Sequence, residues 1–148
     1  MIGVARSGDG GRSWTPATPA GVGAFAFEPA IAVDAHGTVG LSYYDFRNDR
    51  LGDASLTADS WFAHSTDRGT SWPETHLAGP IDLRQAPFAR TGHELGEYQG
   101  MAALPGRGFG AILTLTRPLA RDRTTDIFLA GSAQADTAAT PSRRPPAG

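Results

Sequence analysis

The chain has 148 residues, which is the size of one ordinary domain. Its formal net charge of −2 argues against a nucleic acid or a membrane surface as partner. The sequence has no cysteine, which excludes disulfide bonds and thiolate metal sites, and its apolar runs are too short to span a membrane as a helix.

The amino-terminal stretch MIGVARSGDGG predicts a strand over Ile2–Arg6 that runs directly into a glycine-rich turn. It has neither the basic start nor the apolar core of a secretory signal peptide. Because a domain rarely opens in the middle of a hairpin, we expect this chain to be the carboxyl-terminal portion of a longer protein. The localisation is left open.

Alternating apolar and polar residues, bounded by Gly, Pro, Asn and Asp, predominate along the chain, and helical periodicity is almost absent. We therefore predict an all-β fold with only turn-like helical fragments. The predicted strands are Ile2–Arg6, Ala30–Asp34, Val39–Asp45, Ser60–Ser65, Glu74–Leu77, Gly100–Leu104, Phe109–Thr116 and Asp126–Ser132.

An eight-residue pattern occurs twice, as SGDGGRSW over 7–14 (the first box) and as STDRGTSW over 65–72 (the second box). Both copies read Ser-x-Asp-x-Gly-x-Ser-Trp and follow a predicted strand. The shared residues are Ser7, Asp9, Gly11, Ser13 and Trp14 in the first box and Ser65, Asp67, Gly69, Ser71 and Trp72 in the second.

A longer repeat relates EPAIAVDAHGTVGLSYYDFR, residues 28–47, to YQGMAALPGRGFGAILTLTR, residues 98–117. Both read as a strand, a glycine-bearing turn, a second strand and an arginine. The strands IGVARS, WFAHS and IFLAGS align in a third register. The repeating unit therefore has four strands and a period of roughly 60–70 residues.

This repeat divides the chain. We predict the last two strands of a preceding unit over 1–20, a complete unit over 28–79, and a linker with three strands of a final unit over 80–132. Residues 133–148 are rich in Ala, Thr and Pro without periodicity, and we expect them to be disordered.

Repeated units of four antiparallel strands are the signature of a β-propeller, whose ring holds about 4–8 blades. The chain supplies about two and a half such blades, so we predict a partial β-propeller. Because open blades leave strand edges exposed, self-association through these edges is expected as an alternative.

The two boxes resemble the Asp-box, also called the bacterial neuraminidase or BNR repeat, which sialidases and many sialidase-like propellers carry. The stretches AIAVDAHGTVGLSYYDFRND and GEYQGMAALPGRGFGAILTLT are also similar to blades of bacterial sialidase-like repeat proteins. The resemblance covers residues 1–132 and implies the carboxyl-terminal part of a propeller of about six blades. It also implies a tendency towards secretion or the cell surface.

The residue types of the boxes indicate a structural role. The aspartate can accept N–H bonds inside the turn, the glycine can adopt the positive φ that the turn needs, and the second serine can add side-chain bonds. We expect Trp14 and Trp72 to fold back over their blades and bury apolar surface.

Antiparallel topology places the boxes at one end of the blades and residues 45–59, 79–98 and 117–125 at the other. The resemblance implies that the end away from the boxes carries the active site. Seven arginines lie in these three connections, namely Arg47, Arg50, Arg84, Arg90, Arg117, Arg121 and Arg123.

The resemblance implies arginines that bind a substrate carboxylate and a tyrosine nucleophile paired with a glutamate. On this basis the substrate-binding candidates are Arg47, Arg117, Asp45 and His93, and the catalytic candidates are Tyr98, Glu97 and Glu94. Each has a structural alternative. Arg47 can pair with Asp45 in a salt bridge between blades, Tyr98 can pack against the next blade, and the two glutamates can pair with Arg90.

We predict no cofactor, since no His and Asp spacing matches a zinc site. The weaker alternative is calcium, held by Asp45, Asp49 and Asp53. The arginine-bearing Phe/Tyr-Arg-Ile-Pro motif of sialidases is absent from the sequence.

Two functional hypotheses follow. The first is a fragment of a sialidase-like propeller that resembles exo-α-sialidase-type glycoside hydrolases and is inactive alone. The second is a non-enzymatic Asp-box propeller that binds a glycan or a protein.

Overall fold

The computed structural model describes residues 1–16, 25–90, 92–96, 99–106, 108–117 and 124–133. The tail predicted over 133–148 lies outside these residues except at its first position. The strands are β1 (Ala5–Arg6), β2 (Thr15–Pro16), β3 (Ala26–Val33), β4 (Val39–Asp45), β5 (Thr57–Ser65), β6 (Glu74–Asp82), β7 (Gly100–Leu104), β8 (Gly108–Thr116) and β9 (Thr125–Ala133). A single turn of 3-10 helix covers Leu83–Gln85.

The strands form three antiparallel sheets in which neighbours along the chain are paired. β1 and β2 make a two-stranded ribbon, β3 to β6 a four-stranded meander, and β7 to β9 a three-stranded meander. The predicted all-β class is confirmed. Within the described ranges no helix is long and apolar enough to cross a membrane.

Apolar side chains cover both faces of the four-stranded sheet. On one face Tyr44 belongs to a cluster that includes Leu113 of the three-stranded sheet. On the other face Leu41 packs with Ile2 and Val4, which precede and adjoin β1. The three sheets are therefore stacked in chain order, with the four-stranded sheet in the middle.

The hydroxyl of Tyr44 joins the two larger sheets. It donates to the carbonyl of Thr114 at 3.0 Å and accepts from the N–H of Thr114 at 2.9 Å. β7 pairs with β8 only as far as Gly100 opposite Ile112, so the backbone of Thr114 lies beyond the end of β7. The Tyr44 hydroxyl thus provides a hydrogen-bond partner for the N–H and the carbonyl of Thr114, which have no partner on β7.

The two boxes share four hydrogen bonds between equivalent residues. In the second box, Asp67 accepts from Ser65 Oγ at 2.8 Å, Ser71 N at 3.0 Å and Ser71 Oγ at 2.7 Å, while Gly69 N donates to Ser65 Oγ. In the first box, Asp9 makes the matching three contacts at 2.8, 2.9 and 2.7 Å. Gly11 and Gly69 have φ of 87° and 84°, so the predicted glycine role is confirmed.

The two tryptophans differ. Trp72 packs against the cluster around Leu41, as predicted. The prediction for Trp14 is wrong, because its side chain is 64% exposed. Trp14 folds back only as far as its own loop, where its indole N–H donates to Gly11 O at 3.2 Å. Its ribbon has two strands of two residues each, whereas Trp72 has a four-stranded sheet beneath it.

We predict that Asp67→Asn makes folding stability less sensitive to acid. Hydrogen bonds from Ser71 and Ser65 lower the pKa of Asp67 in the folded chain, and the same contacts lower that of Asp9 to about 2. A lowered carboxyl pKa stabilises the fold above its unfolded value of about 4, and this contribution is lost as the pH falls towards the folded value.

Thermal unfolding of both proteins, followed by circular dichroism at pH 7, 4 and 2, checks this. The variant is expected to unfold at a lower temperature than the parent chain at pH 7. This difference in unfolding temperature is expected to become smaller towards pH 2. A gap that stays constant across this range would contradict the proposed role of the ionised carboxylate.

Candidate functional site

A pocket of about 380 Å³ lies at the end of the four-stranded sheet that is away from the second box. Its wall comes from the start of β3, the residues flanking the β4–β5 connection, and the segment after β6. Pockets of this size accept small ligands. The lining residues are Phe27, Glu28, Phe46, Leu56, Leu83, His93, Glu94, Leu95 and Gly96.

An aromatic stack forms one wall. Phe27 lies opposite Tyr44 in the ladder, with ring centroids 5.4 Å apart. Phe46 stacks on Phe27 at 5.1 Å. Because hydrogen bonds to Thr114 fix the Tyr44 ring, the rings of Phe27 and Phe46 stack on an immobilised side chain.

Glu28 enters the pocket from a β-bulge. The pairing of β3 with β4 shifts between Phe27 and Ala30, so Glu28 and Pro29 lie in the irregular step. The φ of Glu28 is +50°, which is costly for a residue with a Cβ and unusual before proline. Its carboxylate accepts from Gln99 Nε2 at 2.9 Å. Such bulges redirect side chains next to functional sites.

The opposite wall is a turn anchored in the core. Leu83 and Leu95 are buried at its two ends. Between them, Phe88 and His93 form an isolated bridge, and Glu94 N donates to Pro87 O at 3.0 Å. The two ends therefore hold the turn in place, although it contributes little regular structure of its own.

His93 is oriented by the backbone. Its Nδ1 lies 2.8 Å from Ala86 O, and because a carbonyl only accepts, Nδ1 carries the proton. In the tautomer that fits this contact, Nε2 is the nitrogen that can accept a hydrogen bond. Phe88 packs edge-on against the imidazole with centroids 5.2 Å apart, which limits ring rotation.

The structure thus brings together His93 and Glu94, two of the residues predicted from sequence, with Glu28 and the two phenylalanines. Glu97 and Tyr98 lie outside the described residues. The sequence pattern does not point to Phe27 and Glu28, because the predicted strand begins at Ala30 and the candidate residues lie in the connections. The dipeptide Glu28–Pro29, which interrupts an otherwise strand-like run, was the available signal.

Arg47 lies on the other face of the sheet from Phe46. Its Nε donates to Asp45 Oδ2 at 2.7 Å and its Nη1 to Glu74 Oε2 at 2.8 Å. Its guanidinium carbon lies 3.8 Å from the ring centroid of Trp61. Asp45 is fully buried, and hydrogen bonds to Glu74 and Asp45 outweigh the effect of burial and raise the pKa of Arg47.

Arg117 makes a separate, more exposed ion pair. Its Nε contacts Asp126 on β9, and its guanidinium carbon lies 5.6 Å from the Phe128 ring centroid. Its side chain is 53% exposed, against 19% for Arg47. Both arginines are engaged by carboxylates of their own sheets. Arg47 thus has the partner of its structural alternative, Asp45, but the pair lies within one sheet and not between blades.

A tyrosine, a glutamate and an arginine do meet in this structure. The Tyr43 hydroxyl donates to Glu74, and Arg47 Nη2 donates to Tyr43 at 3.2 Å. Tyr43 is only 1% exposed, however, and burial together with Glu74 raises its pKa. A phenol that is inaccessible and hard to ionise is unsuited to attack a substrate.

A second polar pair adjoins this cluster. Asp59 lies directly opposite Asp45 in the β4–β5 ladder and is also buried. Asn48 Nδ2 donates to Asp59 Oδ2 at 2.9 Å, and His76 Nε2 lies 2.8 Å from Asp59 Oδ1. Each buried carboxylate therefore has its own hydrogen-bonding partners.

The residues described contain no group of three or more His, Asp or Glu side chains placed to hold a metal ion. The three aspartates considered for calcium bind different partners. Asp45 binds Arg47, Asp49 accepts from Thr57 N at 2.8 Å, and Asp53 accepts from Ser55 N at 2.9 Å.

Comparisons with protein-family models, with curated proteins and with solved structures find no match to this chain.

We predict that Glu28→Gly preserves or raises stability while changing the pocket. Glycine adopts positive φ without the cost of about 1–2 kcal/mol that other residues incur, and this gain offsets the lost contact with Gln99. The free energy of unfolding is expected to stay level or rise by up to about 1 kcal/mol. Denaturant unfolding measures it, and a loss of more than about 1 kcal/mol would show that Glu28 is retained for stability.

Proposed function

We propose that this chain is an Asp-box module built like those of sialidase-like propellers, and that it binds a carbohydrate without hydrolysing it. The observation that carries the proposal is the pocket at the end of the sheet away from the second box. It combines an aromatic wall with carboxylates and an oriented imidazole. Sugars are bound by such walls through their C–H faces and by such polar groups through their hydroxyls.

The propeller part of this proposal is supported by how the repeats are arranged. The four-stranded and three-stranded sheets are meanders of the same order and pack face to face. The two boxes share four hydrogen bonds, and Arg6 Nη1 of the first ribbon donates to Arg68 O in the second box at 3.2 Å. The first ribbon therefore contacts the second box, which is compatible with consecutive blades.

Binding without hydrolysis is favoured by the polar cluster on the other face. Arg47 and Arg117 are both held in ion pairs, and Tyr43 is buried. The described residues thus offer no accessible nucleophile of the kind that the resemblance implies.

The test uses the intact chain in two assays. A glycan array is expected to show binding, and a fluorogenic sialoside is expected to show no turnover above background. His93→Ala should weaken array binding, whereas His36→Ala, a matched change in an exposed turn at the box end, should not. Turnover by the chain would overturn the non-hydrolytic assignment, and an array without binding would overturn carbohydrate recognition.

A further inference from the structure

We infer that the pocket selects uncharged sugars and rejects sugars that carry a carboxylate. This inference rests on the proposed function, and it concerns the class of carbohydrate that the same site accepts. It departs from the acidic substrate that the sialidase resemblance implies.

The charges of the lining support it. Among the nine described lining residues two are carboxylates, Glu28 and Glu94, and none is an arginine. Lysine is absent from the entire sequence. Recognition of a carboxylate in proteins usually relies on the paired donors of a guanidinium, which this described lining does not supply.

Two described arginines that adjoin lining residues have partners outside the pocket. Arg84 follows the lining residue Leu83, but its Nη1 donates to the carbonyl of Ala54. Arg47 follows the lining residue Phe46, but it lies on the other face of the sheet with Asp45 and Glu74. Neither guanidinium lines the pocket.

A further carboxylate, that of Asp82, is hydrogen-bonded to the backbone of the pocket wall. Asp82 Oδ1 accepts from the N–H of Leu56, a lining residue, at 3.0 Å. Burial opposes its ionisation, yet the backbone donors Leu56 and Arg84 outweigh burial and lower its pKa. Asp82 therefore adds negative charge close to a site that already holds Glu28 and Glu94.

The polar groups suit hydroxyl donors. Carboxylate oxygens accept hydrogen bonds, and the Nε2 of His93 can accept as well in the tautomer whose Nδ1 donates to Ala86 O. A neutral pyranose can donate its hydroxyls to these acceptors while a C–H face packs on Phe46, since both faces of Phe27 are covered by Tyr44 and Phe46. A carboxylate-bearing sugar would place like charges together in a partly desolvated pocket.

The experiment compares three ligands on the intact chain at pH 7 by ligand-observed NMR: methyl β-D-galactopyranoside, N-acetyl-D-glucosamine and N-acetylneuraminic acid. At least one neutral sugar is expected to bind about tenfold or more tightly than the acidic one. Glu94→Arg should reverse this preference, because it supplies a guanidinium at an exposed position of the wall.

Asp53→Asn is the matched control. It removes one carboxylate from an exposed turn at the same end of the sheet without altering the lining, so the preference should remain. Equal or tighter binding of N-acetylneuraminic acid, or an unchanged preference in a folded Glu94→Arg variant, overturns the inference while carbohydrate binding stands. Binding of none of the three sugars, together with a blank array, overturns the proposed function and this inference with it.

Discussion

Arg47→Met is expected to lower the free energy of unfolding by about 3 kcal/mol, because it leaves a fully buried carboxylate without its counter-ion. Asp45 is 0% exposed, and Arg47 holds it through two nitrogens at 2.7 Å. Methionine retains most of the apolar stem and can still contact Trp61, so the loss reports on charge more than on volume. Urea unfolding followed by tryptophan fluorescence measures the change.

Two controls test whether the loss of stability comes from the burial of Asp45 or from removing an ion pair of any kind. Arg117→Met removes a pair whose arginine is 53% exposed, and we expect it to cost less than about 1 kcal/mol. Adding Asp45→Asn to Arg47→Met removes the buried carboxylate charge that has lost its counter-ion. The double variant should therefore recover part of the free energy of unfolding that Arg47→Met loses. Equal effects of the two arginine changes would contradict this account of the cluster.

Tyr44→Phe is expected to destabilise the chain by about 2 kcal/mol, since it leaves the N–H and the carbonyl of Thr114 without their partner. The substitution keeps the aromatic stack with Phe27, so it isolates the hydroxyl. If solvent satisfied these backbone groups equally well, the variant would be as stable as the parent chain.

The same hydroxyl gives a second readout at alkaline pH. Burial raises the pKa of Tyr44 to about 12, above the ordinary value of about 10. A raised folded pKa stabilises the protein below the unfolded value, and this stabilisation is lost as the pH rises from about 10 towards 12. The difference in the free energy of unfolding between the parent chain and Tyr44→Phe should therefore become smaller between about pH 10 and 12.

Local sequence predicted the fold class because turns and alternation are local properties. Val39–Asp45 and Gly100–Leu104 have the bounds that alternation predicts. The glycines of the boxes needed positive φ, and no other residue supplies it as easily. By contrast, the start of β3 at Ala26 was missed, since Glu28 and Pro29 break the pattern at a bulge.

The site was only partly predictable, because partners across sheets do not appear in a local pattern. His93 and Glu94 were identified from their place in a connection away from the boxes. Phe27 and Glu28 join them only because β3 pairs with β4. Sequence also brought Arg47 and Arg117 forward as equivalent positions, but it could not show that Glu74 on β6 would complete the partners of Arg47.

We propose that the Glu28–Glu94 pocket is the carbohydrate site of this chain. The most direct measurement is a titration of the 15N-labelled chain with methyl β-D-galactopyranoside and N-acetyl-D-glucosamine, followed through its backbone amide signals. At least one of these sugars is expected to shift the amide signals of Leu83, Leu95 and Gly96 progressively, while those of Gly69 and Ser71 in the second box stay in place. Shifts centred on the box or on the Arg47 cluster, or no shifts with either sugar, would contradict it.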